Sequence, residues 1–337
     1  MAWFSSRRVD TEIVLRAAAI TGVCFNHSHP DRSFDYAGGM TVLFMLSGIA
    51  FARFALNGAT PDAVRHSIAR FAFRLWLPCA AIVAASFLVR RDIAWGELLF
   101  VSNWYTERHI SFLFVWYPQV LLQILAALFV LFSAPFLARA FLRRPLAGAL
   151  ILLGVAIALR MADPLFRSGA GSALPHLQAW NFLLGWALFF TLAQRTEDDR
   201  PIRVLAALAV VGCAAWAHGP RVVSFWTLSI AGVALAFLPA IRMPALLAQP
   251  TLILGQATFA IFLLHLAFLR LYFAGLHFQS QTGAWLFTMG ASTFCWIVGA
   301  AFLRTWRRRG STTVARLRDS EAERPDAAGR LVSQKAG

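Results

Sequence analysis

The sequence predicts an all-α fold, a polytopic transmembrane helical bundle of about ten spans with both termini in the cytoplasm. Three observations lead there. First, 59% of the 337 residues are hydrophobic and only 14% are charged, against about 45–50% apolar and about 25% charged in a soluble domain. Second, the apolar residues are gathered into runs that are apolar on every side. Lipid satisfies no backbone polar group, so such runs must be helices or a closed barrel. Barrel strands alternate apolar with polar residues, and these do not, so helices are expected. Third, the arginines fall between the apolar runs, more of them on alternate sides.

The spans are expected at about 12–28, 38–56, 71–89, 111–133, 146–162, 177–194, 202–218, 222–241, 251–273 and 283–303. Each comes near the roughly 20 residues that cross a hydrocarbon core. With Met1 inside, the inner segments hold Arg7 and Arg8, then Arg53, Arg65, Arg70 and Arg74, then Arg139, Arg143 and Arg144. Arg195, Arg200 and Arg203, then Arg242, and finally the basic end from Arg304 onward complete that side. Twenty-two of the 31 Lys and Arg lie inside and eight outside, which obeys the positive-inside rule. Arg16 lies within the first span. The short basic start, Met1 to Asp10, is read as lacking a cleavable signal peptide.

Residues 1–309 are read as one membrane domain. From Gly310 to Gly337 the chain is polar and charged without apolar periodicity, and a disordered cytoplasmic tail is expected. The net charge of +15 is explained by topology; nucleic-acid binding would want a basic patch on a soluble face. Cys24, Cys79, Cys213 and Cys295 sit in apolar runs without metal-ligand spacing and read as small buried hydrophobes. No metal site and no bound cofactor are expected. The bilayer is the first partner, in the cell (inner) membrane; the oligomeric state is not legible.

Ionisable residues within a membrane are costly and mark functional candidates. Arg16 and His27 are eleven residues apart on the first span. At about 100° per residue they share one helix face, separated by about 16 Å along the axis. The bland alternative is an arginine snorkelling to the interface and a histidine at a loop start. Ser47-Gly48 on the second span is either a polar feature or a small-residue packing site. His265 lies mid-helix among apolar neighbours and is either a hydrogen-bonded packing residue or a functional one. Gln119 and Gln123 share a face of the fourth span and either line a polar cavity or bond to neighbouring helices.

Taken together these segments resemble the acyltransferase family 3 membrane enzymes, which include bacterial polysaccharide O-acetyltransferases. The resemblance covers about residues 10–305. Arg16 and His27 match an Arg followed by ten residues and a His. Gly39, Phe44, Ser47 and Gly48 match a Gly-x-x-x-Phe-Phe-x-x-Ser-Gly segment. Arg70, Arg74 and Pro78 match an arginine-rich run ending in proline. Leu254, Gly255, Thr258, Phe259, Phe262, Leu263 and His265 match a Leu-Gly-x-x-Ser-Tyr-x-x-Tyr-Leu-x-His segment. Thr41 stands where the family often has Asp, Ile49 replaces an aromatic, and Thr258, Phe259 and Phe262 replace Ser, Tyr and Tyr.

The resemblance implies a membrane O-acyltransferase that takes an acyl group, typically acetyl, from cytoplasmic acyl-CoA. The acceptor it implies is a hydroxyl of a glycan, a glycosylated molecule or a lipid-linked carbohydrate. His27 is then expected as general base or transient acyl carrier, and Arg16 as the group that orients the donor or stabilises developing negative charge. Ser47, His265 and Gln119 are supporting candidates, and Arg70 and Arg74 candidates for donor binding. The rival reading is a transporter or flippase for a glycan or small solute, which would use the same polar residues and an aqueous cavity.

Overall fold

The structure, a computed structural model, describes residues 6–29, 38–56, 60–90, 95–104, 112–163, 173–193, 200–220 and 222–322; side chains at 89, 90, 112–114 and 306–322 are outside the description. Every expected span contains a helix, though the span expected at 222–241 is helical only over Val223–Phe237 and its last residues enter a strand. Helix α1 runs Thr11–Ser28 and α2 Gly38–Phe51, prolonged by a wide turn over Ala52–Leu56. Helix α3 spans Pro61–Arg90, starting ten residues before its apolar core, and a single turn, α4, occupies Trp95–Leu98. Then come α5 (Phe112–Ser133), α6 (Pro135–Arg143) and α7 (Pro145–Ala162). Proline is tolerated in the first turn of a helix, where its missing N–H costs nothing, and Pro135 and Pro145 open α6 and α7. Helices α8 (Pro175–Ala193), α9 (Arg200–His218) and α10 (Val223–Phe237) follow. The last two are α11 (Ala245–Arg270, prolonged over Leu271–Gly275) and α12 (Gln281–Ala322).

Among the described residues, seven helices are long and apolar enough to cross a membrane: α2, α3, α5, α7, α9, α11 and α12. Helix α10 is apolar but shorter. Helices α1 and α8 carry Glu12, Arg16, Asn26 and His27, and His176, Gln178 and Asn181. A helix wrapped by protein need not be apolar all round, and α8 is such a helix: Leu177, Trp180, Phe182, Trp186 and Leu188 are all buried. The protein is a multi-pass membrane protein.

Helix α2 packs on α8 at the closest backbone crossing in the bundle. A Cβ built on Gly48 would stand 1.8 Å from the Phe182 carbonyl oxygen, and one on Gly185 would stand 1.8 Å from that of Met45. The two glycines interlock, each occupied by the partner's backbone. Around them lie Phe44, Met45, Leu46, Phe182 and Trp186, each at most 1% exposed. Such close approach replaces the hydrophobic drive that lipid removes with dispersion contacts. Gly39 does the same against the Ala19 carbonyl of α1, and Gly255 of α11 against Ile13.

One element has no counterpart in the helical expectation. Ser6–Asp10 (β1) and Ala240–Pro244 (β2) form an antiparallel two-stranded sheet in register Ser6 with Pro244, Arg8 with Arg242 and Asp10 with Ala240. Five-residue strands joined across more than two hundred residues leave no local periodic signal. Val9, 1% exposed, is the apolar anchor. The sheet is closed where it meets α1: the Thr11 amide donates to the Pro239 carbonyl at 3.3 Å, and its hydroxyl donates to the Leu238 carbonyl. At the other end of the chain α12 continues as helix to Ala322, through part of the segment expected as a disordered tail; 323–337 lie outside the described residues.

Candidate functional site

Arg16 sits one and a half turns into α1. Its half-buried side chain faces a cavity of about 640 Å³ lined also by Asp10, Glu12, Arg53, Phe189 and Leu238. Helices α1, α2, α8 and α10 each contribute a wall. Within that wall Arg53 forms a two-pronged pair with Glu12, one prong at 3.2 Å, and lies 5.7 Å above the Phe189 ring. Arg16 has no hydrogen-bond or ion-pair partner among the described residues. A guanidinium held inside a helical bundle without a carboxylate is expensive to keep and is available to an incoming anion or carbonyl oxygen.

A polar pair also lies in the core of the bundle. The Tyr117 hydroxyl of α5, in the buried core, lies 2.8 Å from the Ser47 hydroxyl and donates to the Leu43 carbonyl at 3.2 Å. The Tyr117 ring stacks obliquely on Phe262 at 5.3 Å, and Phe262 lies 5.6 Å from His265. Tyr117 carries no motif in the sequence; a tyrosine within an apolar span facing a serine of another span was the available signal.

His27 is exposed at the far end of α1, with its ring 5.2 Å from that of His265. His265 is 1% exposed. Its Nδ1 lies 2.5 Å from the Phe262 carbonyl, a group that can only accept, so Nδ1 carries the proton. Nε2 is buried without a hydrogen-bond partner among the described residues. His27 therefore stands beside an imidazole whose Nδ1–H is already engaged. The end of α1 is held by Phe25, which stacks on His29 at 4.0 Å and meets Trp285 of α12 edge-on at 5.6 Å.

The structure thus links Ser47 to His265 and His27 through Tyr117 and Phe262, while Arg16 faces the cavity at the other end of α1. It places the remaining candidates elsewhere. Arg70 and Arg74 are exposed on α3 and do not line the cavity. Gln119 is fully buried but spoken for: its carbonyl accepts from Ser102 at 3.2 Å and its amide donates to Asn103 at 2.8 Å. Gln123 likewise donates to the Phe100 carbonyl and to Asn103. Together they fasten residues 100–104, which include a short helical turn at Ser102–Trp104, to α5; of the two readings of these glutamines, the bonds match attachment to a neighbouring element. On the His27 side of the bundle Arg160 ties α7 to α8 and α9, donating to the Leu177 carbonyl at 2.6 Å and the Ala217 carbonyl at 3.4 Å.

The bundle therefore carries a cavity lined by charged side chains of both signs at one end of α1 and a histidine pair at the other. Residues 13–304 match the acyltransferase domain of acyltransferase family 3. The chain belongs to that family and is an acyltransferase, which sets the transporter alternative aside. Comparison with curated proteins and with solved structures gives no match.

Proposed function

We propose that this enzyme takes an acyl group, acetyl in the simplest case, from cytoplasmic acyl-CoA and places it on a hydroxyl of a glycan or lipid-linked carbohydrate. In this reading the ten helices span the inner cell membrane with both termini cytoplasmic, so the Arg16 cavity opens inward and His27 lies towards the outer face. The observation that carries the reading is the unpaired Arg16 guanidinium in its cavity, on the same helix that presents His27 to His265. Coenzyme A is polyanionic and long. Its phosphates suit an arginine-lined mouth, and its flexible arm suits a path past Tyr117 and Phe262.

His27 takes the proton of the acceptor hydroxyl as the oxygen attacks the thioester carbon, or first carries the acyl group itself. In either route the carbon–sulfur bond breaks and the thiol leaves with a proton. Ser47 supports the path from its bond to Tyr117, and His265 orients His27. The test is transfer of radiolabelled acyl groups into membrane glycan, normalised to protein level. His27→Ala should lower transfer by about 10²–10⁴-fold without loss of insertion. Arg16→Lys should fail too, because lysine keeps the charge but not the planar fork. Normal transfer by His27→Ala would overturn the assignment; normal transfer by Arg16→Lys would reduce Arg16 to a snorkelling cation.

A further inference from the structure

The register of the two-stranded sheet sets Arg8 directly opposite Arg242. Both are exposed, and neither guanidinium has a hydrogen-bond or ion-pair partner among the described residues. Strand side chains alternate between faces, so Ser6, Arg8 and Asp10 share one face with Pro244, Arg242 and Ala240 across from them. That face carries two guanidiniums and one carboxylate. Like charges placed directly opposite on a sheet oppose pairing, yet here the sheet is pinned by buried Val9 and by both Thr11 bonds. A rigid scaffold that holds two unpaired arginine forks side by side is preorganised for an anion. Phosphate oxygens match the fork geometry.

The position narrows the role. Asp10 and Pro239, at the end of the sheet, line the Arg16 cavity. The Arg8–Arg242 pair lies two residue pairs further out, about 7 Å along the strands. We propose that Arg8 and Arg242 form a phosphate clamp at the mouth of the Arg16 cavity. Two sources carry that chemistry: the polyphosphate end of a soluble acyl donor seated in the cavity, or the headgroup of an anionic lipid at the same membrane face. The first source rests on the acyl-CoA reading; the clamp itself does not.

The test uses the full chain, purified, with thermal unfolding as readout. Coenzyme A and inorganic pyrophosphate are titrated in detergent. In a second arm the protein is placed in nanodiscs of phosphatidylglycerol or of phosphatidylcholine. Wild type is compared with Arg8→Gln/Arg242→Gln, and with Arg139→Gln as an exposed arginine on α6 away from the cavity. The expected result is stabilisation of wild type and Arg139→Gln, with about tenfold weaker apparent affinity for each clamp arginine removed. A response to coenzyme A and pyrophosphate assigns the soluble source. A preference for phosphatidylglycerol that the double variant loses assigns the lipid source. Pyrophosphate responding through Arg8 and Arg242 while coenzyme A does not would sink the acyl-CoA reading and leave the clamp standing. Should the double variant not fold, Arg242→Gln alone and Arg8→Lys/Arg242→Lys carry the comparison, the lysine pair keeping charge but losing the forks. No response in either arm, or equal responses in wild type and the glutamine variants, overturns the clamp.

Discussion

Replacing Gly48 by alanine tests the packing on which the site is built. The new Cβ would meet the Phe182 carbonyl oxygen at 1.8 Å, its carbon at 2.8 Å and the Trp186 amide nitrogen at 3.0 Å. All of these are backbone atoms, so no side chain can swing away. To reach an ordinary contact, α2 and α8 must part by about 1.5 Å at this crossing. Overpacking of this kind costs about 1–3 kcal/mol, and parting the helices also loosens Phe182 and Trp186. Ser47 is the adjacent residue, and its contact with Tyr117 is only 2.8 Å long, so a shift of that size breaks it. Misplacement of about 1 Å can cost around 10²-fold in rate. The assay pairs thermal unfolding in detergent with acyl transfer per folded protein. Gly154→Ala, on α7, is the control, since nothing lies within 4 Å of its Cβ position. If Gly48→Ala is as stable and as active as Gly154→Ala, the interlocked crossing does not hold the site.

Three further outcomes follow from the geometry. Glu12→Gln frees Arg53 from its carboxylate; the pair is 42% and 19% exposed, so stability should change by less than about 1 kcal/mol, while KM for the anionic donor falls. A raised KM would show that Glu12 contacts the donor directly. Gln119→Leu strands Ser102 and Asn103 and should cost about 1–3 kcal/mol in unfolding free energy, with transfer per folded protein unchanged; lost activity in a stable variant would return Gln119 to the site. Reporter fusions at Asp35, Glu107, Arg167 and His277 should score outside, and those at Asp62, Arg143 and Asp198 inside, and two or more reversed scores would sink the ten-span arrangement.

The helices were legible because lipid imposes a strong local rule, an uninterrupted apolar run of fixed length, and each expected span contains a helix. Arg16 and His27 drew notice for the same reason, since an ionisable group in such a run has few structural excuses. The sheet was not, because its signal lies in pairing between Arg8 and Arg242, which no local window contains. Tyr117 was hidden by ordinary composition: an aromatic in an apolar span reads as packing until Ser47 is placed 2.8 Å away. Gln119 drew notice without showing which of its two readings holds. A buried amide is rare enough in a span to draw notice, and the partners that satisfy it, Ser102 and Asn103, belong to a segment whose fold the sequence does not announce. Arg70 and Arg74 are exposed on α3 away from the Arg16 cavity, a separation that the spacing of a basic run does not reveal.

The two ends of α1 are fastened independently, and this constrains the proposed reaction. Its start is tied to the sheet through Thr11 and packed against Gly255 through Ile13. Its far end is held by the Phe25–Trp285 contact with α12 and by the His27–His265 contact with α11. A helix fixed at both ends is a ruler: the roughly 16 Å between Arg16 and His27 cannot shorten during turnover. Under the proposed reading, donor phosphates near Arg16 and an acceptor proton taken at His27 require the donor's arm to bridge that length. The proposed acceptor, in turn, need not enter the Arg16 cavity at all, because His27 is exposed at the other end of α1, and a bulky acceptor is compatible with that placement.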